Sequence, residues 1–181
     1  MKIWRVKQNG NQYSIDIGNI IIPCQIGKNG LISSKLKREG DLSTPIGKWK
    51  LQSLYYRQDK FNYIDKTIKK KIPTFKITKL CGWCDDTNST FYNQKIIIDN
   101  HISIIQTHFE KLWRDDDAYD IFFELAYNNS AIKNKGSAIF FHCSFEDLRP
   151  TSGCVAMPKR FFLHALRNLD VETYLEICGL E

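Results

Sequence analysis

Short runs of β-branched and aromatic residues, separated by turn-forming residues, recur along this chain and limit what it can fold into. Such runs predict strands where Asn-Gly, Pro or Asp-rich segments bound them. The runs are Gln12 to Ile17, Ile20 to Ile26, Gly47 to Tyr56, Phe75 to Lys79, Lys95 to Asp99, Tyr119 to Ala126 and Ser137 to Cys143. The tail from Val171 to Cys178 is a candidate for a last strand. We therefore expect a mainly β (α+β) fold.

Helices are expected in one or two places only. Pro158 to Leu169 is the clearest, because its apolar residues recur at helical spacing. His101 to Leu112 is a candidate for a second helical segment. No linker rich in Pro, Gly or Ser divides the chain, so we expect residues 1–181 to form a single domain.

Length, composition and charge are those of an ordinary folded domain. A chain of 181 residues can bury about 70% of its unfolded surface, and a hydrophobic content of 43% argues against disorder. The net charge of +6 comes largely from two basic runs, Lys35 to Arg38 and Lys66 to Lys71. Such runs are most often solvated surface and otherwise contact a polyanion. No nucleic-acid-binding motif accompanies them, so we expect no nucleic-acid partner.

The N-terminal stretch from Met1 to Gly10 does not have the pattern of an export signal. It lacks both the apolar central region and the small-residue cleavage site that a secretory signal needs. The apolar runs elsewhere are far shorter than the roughly 18 residues of a membrane-spanning helix. We therefore expect no signal peptide in this sequence and no membrane insertion.

The six cysteines, at positions 24, 81, 84, 143, 154 and 178, are too scattered for a dense disulfide framework. The segment from Cys81 to Cys84 has the spacing of a redox pair, but the residues from Asp85 to Asn88 indicate a loop rather than a helix start. A buried structural segment is the favoured interpretation, and redox chemistry or a disulfide is the alternative. No second Cys/His pair completes a zinc shell, so we expect no metal and no cofactor.

A histidine and a cysteine near the C-terminal end carry the strongest chemical signal. An apolar run ends in His142, and Cys154 follows Gly153 and precedes small apolar residues. A thiol becomes nucleophilic when a neighbouring imidazole takes its proton. Gly153 would let the backbone N–H groups of Gly153 and Cys154 form an oxyanion hole. The pattern predicts acyl transfer by Cys154 with His142 as base, and the alternative is a core histidine with a structural thiol.

Three blocks, in order along the chain, resemble the L,D-transpeptidase catalytic-domain (YkuD-like) family. The segment from His142 to Ala156, centred on Thr151 to Ala156, is similar to the catalytic motif. Gly27 to Gly30, Lys37 to Asp41 and Thr44 to Gly47 are similar to the glycine-rich N-terminal signature. A third set resembles one compact proteobacterial branch of the family, namely Gly82 to Asp86, Tyr92-Asn93, Leu112 to Arg114, Tyr119-Asp120 and Gly136 to Phe140.

This resemblance implies a β sandwich or barrel-like sheet with one or two helices. It also implies a peptidoglycan L,D-transpeptidase, in which Cys154 forms a thioacyl enzyme on a stem peptide and passes it to a diaminopimelate amine. The implied partners are peptidoglycan stem peptides. The implied location is the periplasm or cell envelope, which the absence of a recognisable signal peptide does not match.

Two positions depart from the common family pattern. Most members have a histidine where this chain has Ser152, and an arginine or asparagine where it has Ala156. The compact branch shares both changes, so we expect altered substrate contacts, including a cross-link unlike the common one. Two alternatives stay open: a hydrolase with the same Cys-His pair (L,D-carboxypeptidase, endopeptidase or wall-protein-releasing enzyme), and a non-catalytic wall-binding module.

Several further residues are candidates for substrate binding. They lie beside the nucleophile or resemble the compact branch, and they are Ser152, Thr151, Arg149, Trp83, Asp86 and Tyr92. Buried aromatic packing is the alternative for Trp83 and Tyr92, and turn capping is the alternative for Asp86. The other histidines, His101, His108 and His164, are expected to be structural or surface residues.

Overall fold

The computed structural model describes residues 1–61, 64–98 and 107–179. Strands dominate these ranges: β1 (Lys2–Asn9), β2 (Gln12–Asp16), β3 (Ile21–Cys24), β4 (Leu31–Ser33), β5 (Thr44–Arg57), β6 (Thr74–Ile77), β7 (Cys81–Cys84), β8 (Lys95–Ile97), β9 (Phe109–Lys111), β10 (Ile121–Leu125), β11 (Phe140–Cys143), β12 (Val155–Met157) and β13 (Thr173–Ile177). The helices are α1 (Lys66–Lys71) and α2 (Phe162–Arg167), and a 3₁₀ turn (Lys159–Phe161) leads into α2. The expectation of a mainly β fold is confirmed.

The main sheet runs in the order β12-β11-β10-β5-β13-β1-β2-β3, with β4 and β6 pairing on β5. Its two outer strands come together, because Gln25, next to β3, forms an antiparallel bridge with Ala156 of β12. Gln25 N donates to Ala156 O at 2.8 Å, and Ala156 N donates to Gln25 O at 2.9 Å. The sheet is therefore nearly closed, as a barrel-like arrangement requires.

A second bridge extends this closure to the loop before β12. Gly27 pairs in parallel with Thr151: Thr151 N donates to Ile26 O at 2.9 Å, and Lys28 N donates to Thr151 O at 2.9 Å. We call residues 25–28 and 151–156 together the closure seam. The seam includes Gly153 and Cys154, so the predicted nucleophile lies where the two edges of the sheet meet.

Alternation along β11 divides its side chains between two hydrophobic clusters. Phe141 and Cys143 belong to the larger cluster, which α2 covers through Phe162. Phe140 faces the smaller cluster, to which Cys154 also belongs. Because successive side chains of a strand point to opposite faces, His142 lies on the Phe140 side. The predicted base and nucleophile thus share one face.

A small antiparallel sheet, in the order β8-β7-β9, packs against the smaller cluster. Its central strand β7 is formed by the segment from Cys81 to Cys84, and all four residues are buried. Both cysteines are free thiols. The favoured interpretation as a buried structural segment agrees with this placement.

The prediction of a helix over His101 to Leu112 is wrong for those of its residues that the structure describes. Residues 101–106 lie outside the described residues, and Phe109–Lys111 is a strand that pairs with β7. The other helix is present but shorter than expected, since its first turn is 3₁₀. The basic run Lys66–Lys71 forms α1, capped by the Asp65 carboxylate on Thr67 N at 2.6 Å. Over the described residues, neither α1 nor α2 has the length and apolar character needed to span a bilayer.

The closure seam should tolerate no side chain at Gly27. A Cβ there would lie 2.9 Å from the Ser43 backbone and closer still to Leu42 O. We expect Gly27→Ala to lower the free energy of unfolding by about 2 kcal/mol or more, the usual cost of overpacking against fixed atoms. Thermal unfolding measures this as a fall in Tm of about 5 °C for a chain of this size.

Gly10→Ala is the matched control for this prediction. Gly10 has a positive φ (+58°), unlike Gly27, and a Cβ there would meet nothing within 4 Å. Its cost should be the backbone term alone, about 1 kcal/mol. Equal Tm shifts for the two variants would show that the seam is not tightly packed at Gly27.

Candidate active site

His142 and Cys154 are brought together by the parallel pairing of β11 with β12. The register sets Phe141 opposite Val155 and His142 opposite Ala156. Cys154 precedes Val155 and therefore faces the same side of the sheet as His142. Both side chains line one cavity of about 550 Å³. The pairing of β11 with β12 thus brings together two residues that are twelve positions apart in the sequence.

The backbone around Cys154 is held by two threonine hydroxyls. Thr151 Oγ1 donates to Cys154 O at 2.7 Å, and Thr44 Oγ1 donates to the same oxygen at 3.3 Å. Gly153 adopts a φ of +142°, and a Cβ there would lie 3.0 Å from Ser43 O. Glycine is required at this position both by its φ and by the close backbone approach.

The Cys154 thiol is buried, with 7% of the residue exposed, and it is hydrogen-bonded to backbone groups. Sγ donates to Ala138 O at 3.1 Å and accepts from Phe140 N at 3.3 Å. Burial raises its pKa to about 12, although the Phe140 N–H opposes this shift. At neutral pH the resting group is therefore a thiol and not a thiolate.

The His142 imidazole is held in one tautomer by its neighbour in the chain. Nδ1 donates to Cys143 O at 2.7 Å, and the ring meets Tyr119 and Phe145 edge-on, with centroids 5.3 and 6.1 Å away. Burial lowers its pKa to about 4, against the raising effect of the Cys143 carbonyl. Since a carbonyl only accepts, the proton sits on Nδ1 and Nε2 keeps its lone pair.

Neither partner is charged at rest, which differs from the expectation that the imidazole raises the resting thiolate fraction. Desolvation disfavours the thiolate and the imidazolium alike, so it shifts the two pKa values in opposite directions. The acceptor that orients His142, the Cys143 carbonyl, left no signal in the sequence. It is a backbone group whose position depends on the strand.

The predicted oxyanion donors are not equally available. Gly153 N already donates to Thr151 Oγ1 at 3.1 Å. It would have to leave this acceptor in order to reach a reacting carbonyl oxygen. Thr151 is itself buried and uses its hydroxyl on the Cys154 and Gly153 backbone, so its contribution at this site is to shape the loop.

The six predicted substrate-binding residues divide into two groups. Ser152, Thr151 and Arg149 line the cavity of Cys154. The other three, Trp83, Asp86 and Tyr92, do not line it.

Their own contacts explain this second group. Trp83 is buried, its Nε1 donates to Asn93 Oδ1 at 3.0 Å, and its ring packs edge-on against Phe140. Tyr92 is also buried and donates to Glu39 Oε2 at 2.5 Å. Asp86 caps a turn by accepting from Asn88 N at 2.9 Å.

The cavity has charged walls that reasoning from sequence did not assign. Glu110, Arg114 and Tyr119 line one wall, and Lys37 and Glu39 come from the Lys37 to Asp41 block. The resemblance to the compact branch includes Leu112 to Arg114 and Tyr119-Asp120. It was the one feature of the sequence that pointed to residues of this wall. Glu110 itself lies on β9, the strand that was mistaken for helix.

Lys37 is a buried ammonium beside the nucleophile's loop. It is 2% exposed, and Nζ donates to Asp41 Oδ1 at 2.5 Å and to Arg38 O at 3.0 Å. Its contacts fix the Lys37 to Asp41 turn against the loop that carries Gly153. The glycine-rich block therefore builds part of the cavity.

His108 and His164 have hydrogen-bond partners of their own. His108, at the cavity mouth, is largely exposed and pairs with Asp85 Oδ1 at 2.5 Å, which raises its pKa. His164 Nε2 lies 2.9 Å from Asn19 Oδ1, and His101 lies outside the described residues. In the part of the chain that the structure describes, no three His, Cys, Asp or Glu side chains are grouped as metal ligands would be.

Comparison with known proteins decides the family. The family model for the L,D-transpeptidase catalytic domain, YkuD, matches residues 2–177. The chain belongs to the YkuD family. A solved structure with a similar course of the chain is Mycobacterium tuberculosis L,D-transpeptidase 1, at 10% sequence identity and a TM-score of 0.43. The similarity covers 98% of this chain and 58% of that one. No curated protein matches this YkuD chain.

The two cysteines beside the imidazole should differ in reactivity. Cys154 lines the cavity, whereas Cys143 has no exposed surface and directs Sγ to Ile121 O in the core. Burial raises the pKa of both thiols to about 12. Their relative labelling rates should therefore depend on reagent access and on the nearby base. We expect iodoacetamide to label Cys154 at least about tenfold faster in the native protein. Peptide mapping by mass spectrometry after timed quenching measures both rates, and equal rates would count against the placement.

Proposed function

We propose that this protein is a peptidoglycan L,D-transpeptidase in which Cys154 is the nucleophile and His142 the general base. One observation carries the proposal. Both side chains line the same cavity, and the Cys143 carbonyl holds the proton of His142 on Nδ1, which leaves Nε2 as the proton acceptor. Membership of the YkuD family supports this reaction class. The match over residues 2–177 supports residues 1–181 as one catalytic domain.

In the first half-reaction, Sγ of Cys154 attacks a carbonyl carbon of a donor stem peptide. The thiol proton leaves its contact with Ala138 O and passes to Nε2 of His142. The C–N bond to the terminal amino acid breaks, and the leaving amine takes this proton from His142. A thioacyl enzyme results, with His142 neutral again.

The neutral resting pair suits this concerted transfer. The thiol loses its proton only as the sulfur bonds to carbon, so no free thiolate has to persist in the buried site. The developing oxyanion needs N–H donors. Those of Cys154 and Gly153 are the candidates, and Gly153 N would exchange Thr151 Oγ1 for the substrate oxygen.

In the second half-reaction, a diaminopimelate amine of another stem attacks the thioacyl carbon. A new C–N bond forms, the C–S bond breaks, and His142 returns a proton to Cys154. Water in place of the amine would give hydrolysis, the alternative that shares the same pair. We propose peptidoglycan stem peptides as the substrates and the cell envelope as the place of action, on the strength of the family alone.

Removal of the thiol should abolish turnover without unfolding the protein. We expect Cys154→Ala to lose all product above background, because no other group in the cavity can form the thioacyl bond. The measurement is mass spectrometry of products after incubation with a purified stem tetrapeptide, alone and with a second stem as acceptor. A thioester adduct on Cys154 in the wild-type protein would identify the intermediate.

Cys143→Ala is the matched control for this variant. It removes a buried thiol next to His142 in the sequence, on the opposite face of β11. Turnover should persist in it with some loss of stability. Product formation by Cys154→Ala, or loss of turnover in both variants with the fold intact, contradicts the assignment.

The pH dependence of acylation should be set by the buried imidazole. Protonation of Nε2 removes the base, so the rate falls as pH drops through the His142 pKa, which burial lowers to about 4. We expect the acid limb of the donor-acylation rate to lie near pH 4, well below the ordinary histidine value of about 6.5. The check is the rate of thioacyl formation at fixed ionic strength between pH 3.5 and about 8. An acid limb between about pH 6 and 7 would mean that His142 is solvated or is not the base.

A further inference from the structure

One cavity wall carries a carboxylate that the chemistry of Cys154 and His142 does not use. Glu110 lies on β9, opposite Trp83 of β7, and its side chain lines the cavity of the nucleophile. A negative charge there opposes thiolate formation. The pKa of Cys154 is raised mainly by burial and lowered by the Phe140 N–H. The negative charge of Glu110 raises it further. A cation bound at Glu110 would remove this cost.

Within the described residues, the donors to Glu110 reach only one of its two carboxylate oxygens. Tyr119 Oη donates to Oε1 at 2.8 Å, and Arg114 Nη1 donates to the same oxygen at 3.2 Å. Among residues 1–61, 64–98 and 107–179, none donates to Oε2. Arg114 is shared, because its other nitrogens donate to Asp116 at 2.9 and 2.5 Å. The charge of Glu110 is therefore only partly balanced.

Glu110 is also linked to the base through one tyrosine. The Tyr119 ring that donates to Glu110 meets the His142 ring edge-on, with their centroids 5.3 Å apart. Because Glu110 and His142 line the same cavity, a ligand bound by the Glu110 carboxylate in that cavity lies beside the imidazole. The other two carboxylates of this cavity are engaged at their own partners: Glu39 accepts from Tyr92, and Asp85 pairs with His108.

We propose that Glu110 recognises the attacking amine, with Oε2 accepting a hydrogen bond from the ammonium group of the acceptor stem peptide. This assignment rests on the proposed function, which needs an amine in the second half-reaction. A carboxylate in a partly desolvated wall binds a cation through a charge-assisted hydrogen bond. It therefore discriminates an amine acceptor from water. Glu110 is a specificity residue and not a second nucleophile.

The proton balance of the second half-reaction follows. The bound ammonium gives one proton to Glu110 Oε2, whose pKa is raised by burial, and Glu110 later releases it to solvent. The freed amine nitrogen bonds to the thioacyl carbon, and the C–S bond breaks. The second amine proton passes to His142 Nε2 and from there to Cys154 Sγ. The enzyme returns to its starting protonation state.

The test is the partition of the thioacyl enzyme between amine and water. The wild-type protein and Glu110→Gln are incubated with a stem tetrapeptide donor and a second stem that carries a free amine. The ratio of cross-linked to hydrolysed product is then read by mass spectrometry. Glutamine keeps an oxygen for Tyr119 and Arg114 but removes the charge. We expect the ratio to fall about tenfold or more, because glutamine neither holds the ammonium by a charge-assisted hydrogen bond nor accepts its proton.

Hydroxylamine is the matched acceptor, because it is a nitrogen nucleophile that is uncharged at neutral pH. In Glu110→Gln, the ratio of hydroxamate product to hydrolysed product should not fall. Asp116→Asn is the matched variant, since Asp116 also binds Arg114 but does not line the cavity, and it should keep the wild-type ratio. Tyr119→Phe, which keeps the carboxylate but loses its orienting bond, should show a smaller fall.

The outcomes separate the two proposals. An unchanged ratio in Glu110→Gln overturns the role of Glu110 while the transpeptidase assignment stands. An equal fall with hydroxylamine, or an equal fall in Asp116→Asn, does the same, because it shows a structural effect. If Glu110→Gln does not fold, an unchanged ratio in Tyr119→Phe overturns the assignment. Absence of a thioacyl adduct in the wild-type protein overturns the proposed function and this inference with it.

Discussion

The closure seam is the constraint on which the rest of this structure depends. Its four backbone hydrogen bonds join the segment 25–28 to the segment 151–156 and bring the two edges of the main sheet together. Without these bonds, the residues before β12 would be an unpaired loop twelve residues from His142. With them, β12 takes its register on β11, and Cys154 faces the same cavity as the imidazole. The packing of Gly27 and Gly153 against the Leu42-Ser43 backbone is what permits so close an approach.

Burial at this seam has an electrostatic consequence. The same packing that fixes Cys154 removes water from its thiol and from the His142 ring, so both groups are neutral at rest. Reactivity must then arise when substrate enters, as the proton moves and charge appears on a carbonyl oxygen. Glu110, Arg114 and Lys37 are among the charged groups that line the cavity walls. Glu110 and Lys37 have opposite effects on the pKa of Cys154, which Glu110 raises and Lys37 lowers.

The sequence predicted those parts of the molecule whose signal is local. Strands β2, β3, β5, β6, β8, β10, β11 and β13 were recognised from composition and turn residues. Cys154 and His142 were recognised from a short motif. Strand β1 was missed because it has no continuous run of β-branched and aromatic residues, although its buried Trp4 and Val6 alternate with lysine and arginine as in a half-buried strand. Strands β9 and β12 have three residues each and exist through pairing with distant segments. Glu110 and the Cys143 carbonyl could not be assigned for the same reason, since long-range register places them.

The most direct test of this account is the ionisation of His142 in the resting protein. Nitrogen-15 NMR of the histidine-labelled protein, with His142→Gln to assign the signals, reports the tautomer and the charge of the ring across pH. The account predicts a neutral imidazole with its proton on Nδ1 at pH 7, which persists until the pH approaches about 4. An imidazolium at pH 7, or a proton on Nε2, would contradict a neutral pair held ready by the Cys143 carbonyl.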